Sequence, residues 1–596
     1  APVMKLFTDR QEQERIWAVR ESGLGATAFV PGRPEQWPGW EDSAVPPERT
    51  GEYLRELSRL YDRYGYSASL YGHFGQGCVH TRINFDIRHE DGIRRWRRFL
   101  DDSAGLVARF GGSFSGEHGD GQARAALLPK MFGDEMVGVF RRFKTIWDPL
   151  DRMNPGKIVD PYPITSNLRL KGAGAALDGR TYFAYPADGG DVSKAFTRCV
   201  GVGKCRQWGG DVMCPSFMVT HDEKDTTRGR ARALFEMARG GIIQEGWRSD
   251  AVRETLDLCL ACKGCKRDCP VNVDMATYKA EFMAHYYEGR LRPRAAYSMG
   301  LIYWWSRAAS TAPWLANAAL QAPGLSTAIK AAGGIARGRR FPRYAARPFR
   351  RAFRRRQPGN GSGDEIILFP DTFTNFFEPE IALAAVDVLE RLGYRVRIPP
   401  RSLCCGRPLY ASGMLKRAQG LLEEILETLG PEAEAGTPVV GLEPACVATF
   451  RDELINLFPK DPRARALADR TVMLGEFLVQ ERVALPAMPG RALVHFHCNH
   501  HAVLDPEADR ELLGGIGLEV DVPDSGCCGM AGSFGFEAEH YDLSMKCAER
   551  VLLPAVRAAA DDELLLSDGF SCREQIAQAT DRRPLHLAQV LQRALA

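Results

Sequence analysis

The sequence predicts a multidomain α+β chain: a mixed α+β domain, then a small helical cluster-binding domain, then a duplicated α/β pair. Three observations carry this expectation. The chain has 596 residues, more than one hydrophobic core serves. Its 16 cysteines gather in tight groups, at 199/205/214, 259/262/265/269, 404/405, 446, 498, 527/528 and 572, with Cys78 and Cys547 apart. Its last third repeats itself: "SLCCGRPLYASG" and "EPACVATF" return as "DSGCCGMAGSFG" and "SDGFSCREQ", with 123 residues from Cys404 to Cys527 and 126 from Cys446 to Cys572. Composition is globular, 45% hydrophobic and 26% charged, and the net charge of +3 gives no sign of a nucleic-acid partner. The opening "APVMKLFTDRQEQERIW" lacks the apolar stretch of a secretory signal, and no apolar run is long enough to span a bilayer.

Taken in order, residues 1–165 mix helical patches such as "TGEYLRELSRLYDRYG" with the alternating, strand-like "CVHTRINFDI". Glycine turns follow in "GHFGQG" and "FGGSFSGEHGDG", and the segment closes on the Asn-Pro-Gly of "DRMNPGKIVDP". Residues 185–290 hold seven cysteines among helical segments, "TTRGRARALFEMARGGI" and "VDMATYKAEFMAHYYEG". Residues 291–364 begin apolar and aromatic ("AAYSMGLIYWWSRAASTAPWLANAALQ") and then carry ten arginines and no acid over 337–356. That stretch reads equally as a solvated linker or a helix lying on a neighbouring domain, or as an interfacial anchor, with the arginines on anionic headgroups at a membrane surface. "QPGNGSGDE" reads as a flexible linker. Residues 365–485 and 486–596 are the two repeats, each opening on a strand-like run, "IILFPDTF" and "ALVHFHCNHH".

The cysteine spacing points to iron–sulfur clusters. "CLACKGCKRDCP" reads C-x2-C-x2-C-x3-C-P, a cubane-binding run whose last cysteine serves a second cluster. Cys259, Cys262 and Cys265 then take their fourth ligand from Cys214, which also precedes proline, and make a [4Fe–4S] site. Cys199, Cys205 and Cys269 form the other set, with Val202 where a fourth thiolate would stand. Three thiolates suit a [3Fe–4S] cluster; a [4Fe–4S] cluster with a non-cysteine ligand is the alternative. The competing readings are a structural zinc and, for a secreted chain, disulfides. Vicinal and C-x2-C cysteines favour metal, and thiolate clusters imply a reducing, cytoplasmic compartment.

In the first domain, "YGHFGQGCVHTRINFD" sets His73 and His80 seven apart across a glycine turn, and "GEHGDG" adds Glu117 and His118. Two histidines and a carboxylate suit Zn2+ or another divalent metal with a position open for substrate. Neighbours such as Glu117 and His118 share one site only if the flanking glycines bend the chain.

On "GHFGQGCVH", "GEHGDGQAR" and "MNPGKI", residues 1–160 resemble the C-terminal (substrate) domain of FAD-linked D-2-hydroxy-acid dehydrogenases. The whole layout resembles the large bacterial FAD/iron–sulfur D-2-hydroxyglutarate dehydrogenases. Residues 185–290 resemble an α-helical ferredoxin domain, whose C-x5-C gap is similar to the three-iron site of the succinate dehydrogenase iron–sulfur subunit. The two repeats resemble the duplicated cysteine-rich CCG domains of heterodisulfide reductase and of the glycolate oxidase iron–sulfur subunit. The resemblance implies a further cluster on Cys498, Cys527, Cys528 and Cys572, on Cys404, Cys405 and Cys446, or shared between them; the leading cysteine of the first copy falls near Asn375 and is missing. His497, His500 and His501 flank Cys498 and are read as solvated or hydrogen-bonded rather than as ligands.

The same resemblance implies that His73, His80 and Glu117 hold the metal, that His118 is the general base, and that Arg20 and Arg82 bind substrate carboxylates. It departs from the family at Gln76 and Cys78, and a lysine of some relatives aligns with Trp40. The implied reaction is oxidation of a D-2-hydroxy acid, D-2-hydroxyglutarate first, D-lactate or glycolate next, to the 2-oxo acid. Electrons would leave through the clusters to a quinone or a carrier protein. The family's FAD-binding domain has no counterpart here, so FAD is expected between this chain and a missing flavin half, with Asn154 and Lys157 touching it. The rival reading is a non-catalytic electron-transfer subunit like a heterodisulfide reductase component.

Overall fold

The computed structural model describes residues 4–174, 177, 179–210, 212–356 and 363–596, so most of the expected "QPGNGSGDE" linker lies outside the described residues. The chain divides into two compact units, residues 1–175 with 200–202 and residues 176–199 with 203–596.

The first unit is built on a three-stranded antiparallel sheet of β1 (Ser43–Ala44), β2 (Ala68–His73) and β3 (Cys78–Ile83), in the order β1-β3-β2. Its helices are α1 (Arg10–Ala26), which is almost wholly exposed and buries only Gly25, and α2 (Thr50–Tyr64) and α3 (Glu90–Arg109), which follow an amphipathic periodicity. In α2 the buried residues Tyr53, Leu57, Leu60 and Tyr61 recur at helical spacing, and Gly65 (φ 68°) ends the helix in the left-handed region. They meet Phe99, Leu100 and Val107 of α3 in one core with Trp40, Ile83 and Phe114. Each such side chain contributes about 2 kcal/mol of burial, so this core fixes the sheet that carries the site. A long helix, Leu128–Trp147, follows, kinked at Gly133.

In the second unit, helices Thr227–Arg239 and Met275–Tyr286 frame the cluster-binding segment, capped by Thr226 and Asp274 side chains. The repeats form two parallel sheets. The first has β4 (Glu365–Phe369), β5 (Arg395–Arg397), β6 (Val439–Gly441) and β7 (Thr471–Met473) in the order β5-β4-β6-β7. The second has β8 (Gly490–Val494), β9 (Leu518–Asp521) and β10 (Leu564–Leu566) in the order β10-β8-β9. Parallel pairing demands crossovers, which helices such as Pro379–Arg391 and Glu507–Gly515 supply. The duplication is visible in the cysteines: Cys404–Cys405 follow β5 as Cys527–Cys528 follow β9, and Cys446 and Cys572 sit early in the helices after β6 and β10. All lie beyond the carboxyl ends of strands, where open α/β sheets bind their ligands.

The arginine-rich stretch is held by protein. Arg339 is buried and donates to Gly535 O and Ser544 Oγ. Arg340, Arg350 and Arg354 donate to the carbonyls of Ala577, Pro399 and Pro400, and Arg356 pairs with Glu390. Packing on neighbouring segments, by a short helix (Phe349–Arg355) and the irregular chain before it, accounts for these guanidiniums. Among the described residues, no helix is long and apolar enough to cross a membrane.

Candidate functional site

The β2–β3 hairpin assembles the first site. Its register sets Tyr71 opposite His80, Ser69 opposite Arg82 and His73 opposite Cys78, so all six share one face of the sheet. Gly77 (φ 75°) closes the hairpin, and a Cβ there would come 1.9 Å from the Val45 carbonyl oxygen, so only glycine fits. Three imidazoles converge on one carboxylate oxygen, Glu117 Oε1: His80 Nε2 at 2.8 Å, His73 Nε2 at 3.7 Å and His118 Nε2 at 3.7 Å. The rings of His80 and His118 stack at 4.9 Å.

Glu117 and His118 share the site because their loop wraps a residue the sequence reading missed. Asp42 is wholly buried at φ 68° and accepts hydrogen bonds from His118 N (2.7 Å), Glu117 N (3.1 Å), Ser115 Oγ (2.5 Å) and Cys78 Sγ (3.2 Å). Burial pushes the Asp42 carboxyl up, but these donors together bring it down to about 2. Burial and the Asp42 charge push the Cys78 thiol up to about 12, so Cys78 stays protonated as a donor. Burial, then His118, lowers His80, which keeps its imidazole neutral as a metal ligand needs. Ligand atoms of Asp42, His80, Glu117 and His118 all lie within 4.8 Å of one another and fit a divalent metal; His73 is outside that group although its Nε2 is as near Glu117 Oε1 as that of His118, so the expected split of His73 as ligand and His118 as base does not follow from distance.

Beside this group Arg82 is buried and pairs with Glu41 at 3.3 Å, which also accepts from Tyr71 Oη at 3.3 Å. Arg20 lies 5.8 Å over the Tyr71 ring. Arg20 and Arg82 therefore border the histidines through Tyr71. Trp40, where relatives were expected to carry lysine, is buried against Tyr53 and faces the core. Lys157 donates to Gln122, in the loop of Glu117, at 2.8 Å, and Asn154 holds the closing turn at φ 50°. Glu41, Asp42 and Tyr71 lack any spacing signal; only the fold brings them to the hairpin.

In the second unit no disulfide joins the cysteines of the described residues. Cys259, Cys262 and Cys265 interact with one another, and Cys205 with Cys269. Cys214 Sγ accepts from Thr227 N at 2.9 Å and meets Cys205, the neighbour that the crossed ligand scheme assigns to the other cluster. Cys262, Cys498 and Cys527 pack in one apolar cluster with Leu260 and Phe534, which brings the cubane-binding run against the second repeat. In the first repeat Cys405 and Cys446 lie 3.0 Å apart, and Thr372 Oγ1 donates to Cys404 Sγ at 3.3 Å. Thr372 fills the place where a leading thiol was sought near Asn375; Asn375 itself accepts from Arg350 N. His497 caps its own helix through Asn499 N, and burial pushes its imidazole down to about 3. His501 pairs with Asp268 at 2.9 Å, whereas His500 lies 3.9 Å from Asp509 with both ring nitrogens buried and without a hydrogen bond. A largely apolar cavity of about 860 Å3 runs from Cys404, Cys405 and Cys446 to Ile302, Trp305 and Leu320 of the linker helices.

Comparison with known proteins agrees with this division. Residues 3–158 match the family "FAD linked oxidases, C-terminal domain", residues 195–273 a "4Fe-4S dicluster domain" and residues 372–451 a "Cysteine-rich domain". The chain is 27% identical to D-2-hydroxyglutarate dehydrogenase of Pseudomonas putida, over 97% of this chain and 60% of that protein. It is 25% identical to the Escherichia coli protein of the same name, over 97% of this chain and 61% of the relative. It is 30% identical to one subunit of the anaerobic glycerol-3-phosphate dehydrogenase of Escherichia coli, over 45% of this chain and 68% of the relative. The chain thus spans about 60% of the length of the D-2-hydroxyglutarate dehydrogenases it matches. The matched domains support FAD chemistry and iron–sulfur clusters on residues the fold brings together. Each in its own segment, the chain carries an FAD-linked oxidase C-terminal domain, a 4Fe-4S dicluster domain and a cysteine-rich domain, and as a whole it resembles the D-2-hydroxyglutarate dehydrogenases.

Proposed function

We propose that this chain works in the FAD- and iron–sulfur-dependent oxidation of a D-2-hydroxy acid to the 2-oxo acid, with D-2-hydroxyglutarate the favoured substrate and D-lactate or glycolate next. The observation that carries this is the convergence of His73, His80 and His118 on Glu117 Oε1 beside Arg82 and Arg20. Arg82, buried and half-neutralised by Glu41, is suited to orient one carboxylate; exposed Arg20 is suited to a second, distal one. His118, half exposed and held by its backbone N–H on Asp42, is the base that takes the hydroxyl proton. A divalent metal on His73, His80 and Glu117 would lower the pKa of that hydroxyl, and FAD would supply the hydride acceptor.

An FAD-binding part fits the apolar stripe that the first unit leaves exposed. Past the kink at Gly133, Met136, Val139, Phe143, Ile146 and Trp147 recur three and four apart on the helix that ends at Trp147, between 39% and 74% exposed. For the acceptor, the 860 Å3 apolar cavity against the first-repeat cysteines favours a quinone over a polar carrier. Glu443 lines it, and burial, then Asp371, pushes its carboxyl up to about 8, suited to a proton that accompanies the electron. Trp305, Trp314, Leu315 and Leu325 are exposed on the neighbouring helices and fit peripheral contact with a membrane.

The test is dye-linked turnover without NAD, using the chain completed by an FAD-binding part. His118→Ala is expected to lose ~100- to 10,000-fold in turnover with flavin retained; unchanged turnover sinks the assignment. The rival, an electron-transfer subunit without a substrate site, is favoured by the likeness of under half of this chain to one subunit of a glycerol-3-phosphate dehydrogenase. It predicts that residues 1–165 bind no metal, which zinc analysis decides.

A further inference from the structure

We infer that His495 is a ligand of the metal centre in the second cysteine-rich repeat, its Nε2 completing the set formed by Cys498, Cys527, Cys528 and Cys572. The inference rests on the reading that this repeat holds an iron–sulfur cluster. One ring nitrogen of His495 and the sulfurs of Cys528 and Cys572 lie within 4.8 Å of one another, and all three side chains are buried. The other thiols continue the same group: Cys527 meets both Cys498 and Cys528.

The ring is presented as a ligand. His495 is the residue after β8; its backbone N donates to Leu566 O at 2.9 Å and its carbonyl accepts from Ser567 Oγ at 2.8 Å. Nδ1 is engaged by Ser525 Oγ at 2.8 Å, whereas Nε2 is buried and makes no hydrogen bond. With Nδ1–H donating to the hydroxyl, the neutral tautomer leaves the Nε2 lone pair available. Metal-bound imidazoles are oriented in this way, the distal N–H tied to a polar group of the protein. An unpartnered buried ring nitrogen otherwise costs about 1–3 kcal/mol, which a metal bond removes.

Competing donors are excluded one by one. His501 pairs with Asp268, His497 accepts from Asn499 N at Nδ1, and His500, whose two ring nitrogens are buried without a hydrogen bond, lies nearest Asp509; among the described residues it is His495 whose ring nitrogen groups within 4.8 Å of Cys528 and Cys572. The position three before Cys572, where a closing C-x2-C would put another thiol, is Gly569. A Cβ there would come 2.4 Å from His497 Cδ2, so that corner has no room for a side chain while His497 caps its helix. The imidazole of His495 is the additional donor that the geometry leaves.

The test uses the full chain loaded anaerobically with iron and sulfide, with natural or 15N-labelled histidine, and pulsed EPR of the reduced protein. The signal to follow is the one abolished by Cys572→Ser. It is expected to carry a nitrogen coupling that changes with the isotope, disappears in His495→Gln and persists in His497→Gln. His495→Cys is expected to keep wild-type iron content, lose the coupling and show a lower midpoint potential, since thiolate for imidazole lowers cluster potentials. It also decides the case if the glutamine variant does not load. A Cys572-dependent signal without nitrogen coupling, or a coupling that survives either His495 variant, overturns the assignment while leaving the cluster reading intact. Spectra and iron content indifferent to Cys572→Ser refute the cluster reading itself, and the ligand with it.

Discussion

Asp42→Asn tests whether one buried carboxylate organises the hairpin site. In the wild type Oδ2 accepts from His118 N, Glu117 N and Ser115 Oγ, and Oδ1 accepts from Cys78 Sγ and also from Glu117 N at 3.2 Å. The amide keeps one acceptor oxygen and turns an NH2 toward at least one of these donors. Stranding a buried backbone N–H costs about 1–3 kcal/mol. The same quantity follows from titration: a carboxyl lowered from 3.8 to about 2 represents roughly 2 kcal/mol of preference for the charged form in the folded state. The two routes agree at a loss of about 2 kcal/mol. For a unit the size of residues 1–175, where each kcal/mol shifts the midpoint by about 2–4 °C, the melting temperature should fall by roughly 4–8 °C. The pH dependence has a fixed sign. The folded pKa lies below the unfolded one, so the stabilisation is fully present above about pH 4 and is lost as pH falls toward 2. Calorimetry of wild type and variant across pH 3–7, with proteolysis to assign the first-unit transition, should show a gap that is widest near neutrality and narrows below pH 4. An unshifted melting temperature, or a gap independent of pH, refutes the organising role.

Three other outcomes are expected. Glu117→Gln should weaken zinc binding at least as much as losing an outer partner of a ligand, about 10- to 100-fold or more, read by competition with a chromogenic chelator; unchanged affinity would remove Glu117 from the metal. Cys205→Ser should abolish an oxidised three-iron EPR signal while the four-iron signal survives, and Cys214→Ser the reverse; loss of one and the same signal in both would put the two on one cluster, as their contact in the fold allows. Lys263→Met should destabilise the second unit by about 3–5 kcal/mol, because the buried ammonium sits among Asp274, Asp452 and Glu453, and a denaturant midpoint equal to wild type would contradict this.

Much of this was legible in the sequence because cluster chemistry and duplication are written in spacing. The repeat offsets of 123 and 126 residues place two parallel sheets and their cysteine loops correctly. The seven-residue gap between His73 and His80 does mean one face of one hairpin. What spacing does not carry is the partner that arrives from elsewhere in the chain. Asp42 precedes Cys78 by 36 residues and meets it only because the pairing of β1 with β3 brings them together. His495 has no spacing signal of its own in the sequence; its grouping with Cys528 and Cys572 and the engagement of its Nδ1 by Ser525 set it apart from His497, His500 and His501. The arginine-rich stretch was undecided from composition, because a guanidinium serves a buried carbonyl and a phosphate equally well, and Arg339 among its ten arginines is buried on Gly535 and Ser544.

The three cysteine groups of the second unit meet at one amide. Asn499, the residue after Cys498, donates from Nδ2 to Cys262 O at 3.4 Å and accepts at Oδ1 from Arg407 Nη2 at 2.6 Å. Arg407 is two residues past Cys405 and pairs with Glu453, which also faces Lys263 in the cubane-binding run at 3.2 Å. Dicluster run, first repeat and second repeat thus share a single buried network of charges and amide dipoles rather than three separate scaffolds. Such a network is strong when complete and costly when one member is lost. It follows that the carboxylates around Lys263 cannot be tuned for stability alone: a change in charge there acts on all three groups of thiols at once. The second repeat packs its Cys498 and Cys527 directly on Cys262, and all three groups border the apolar cavity, at Cys262, at Cys404, Cys405 and Cys446, and at Cys498.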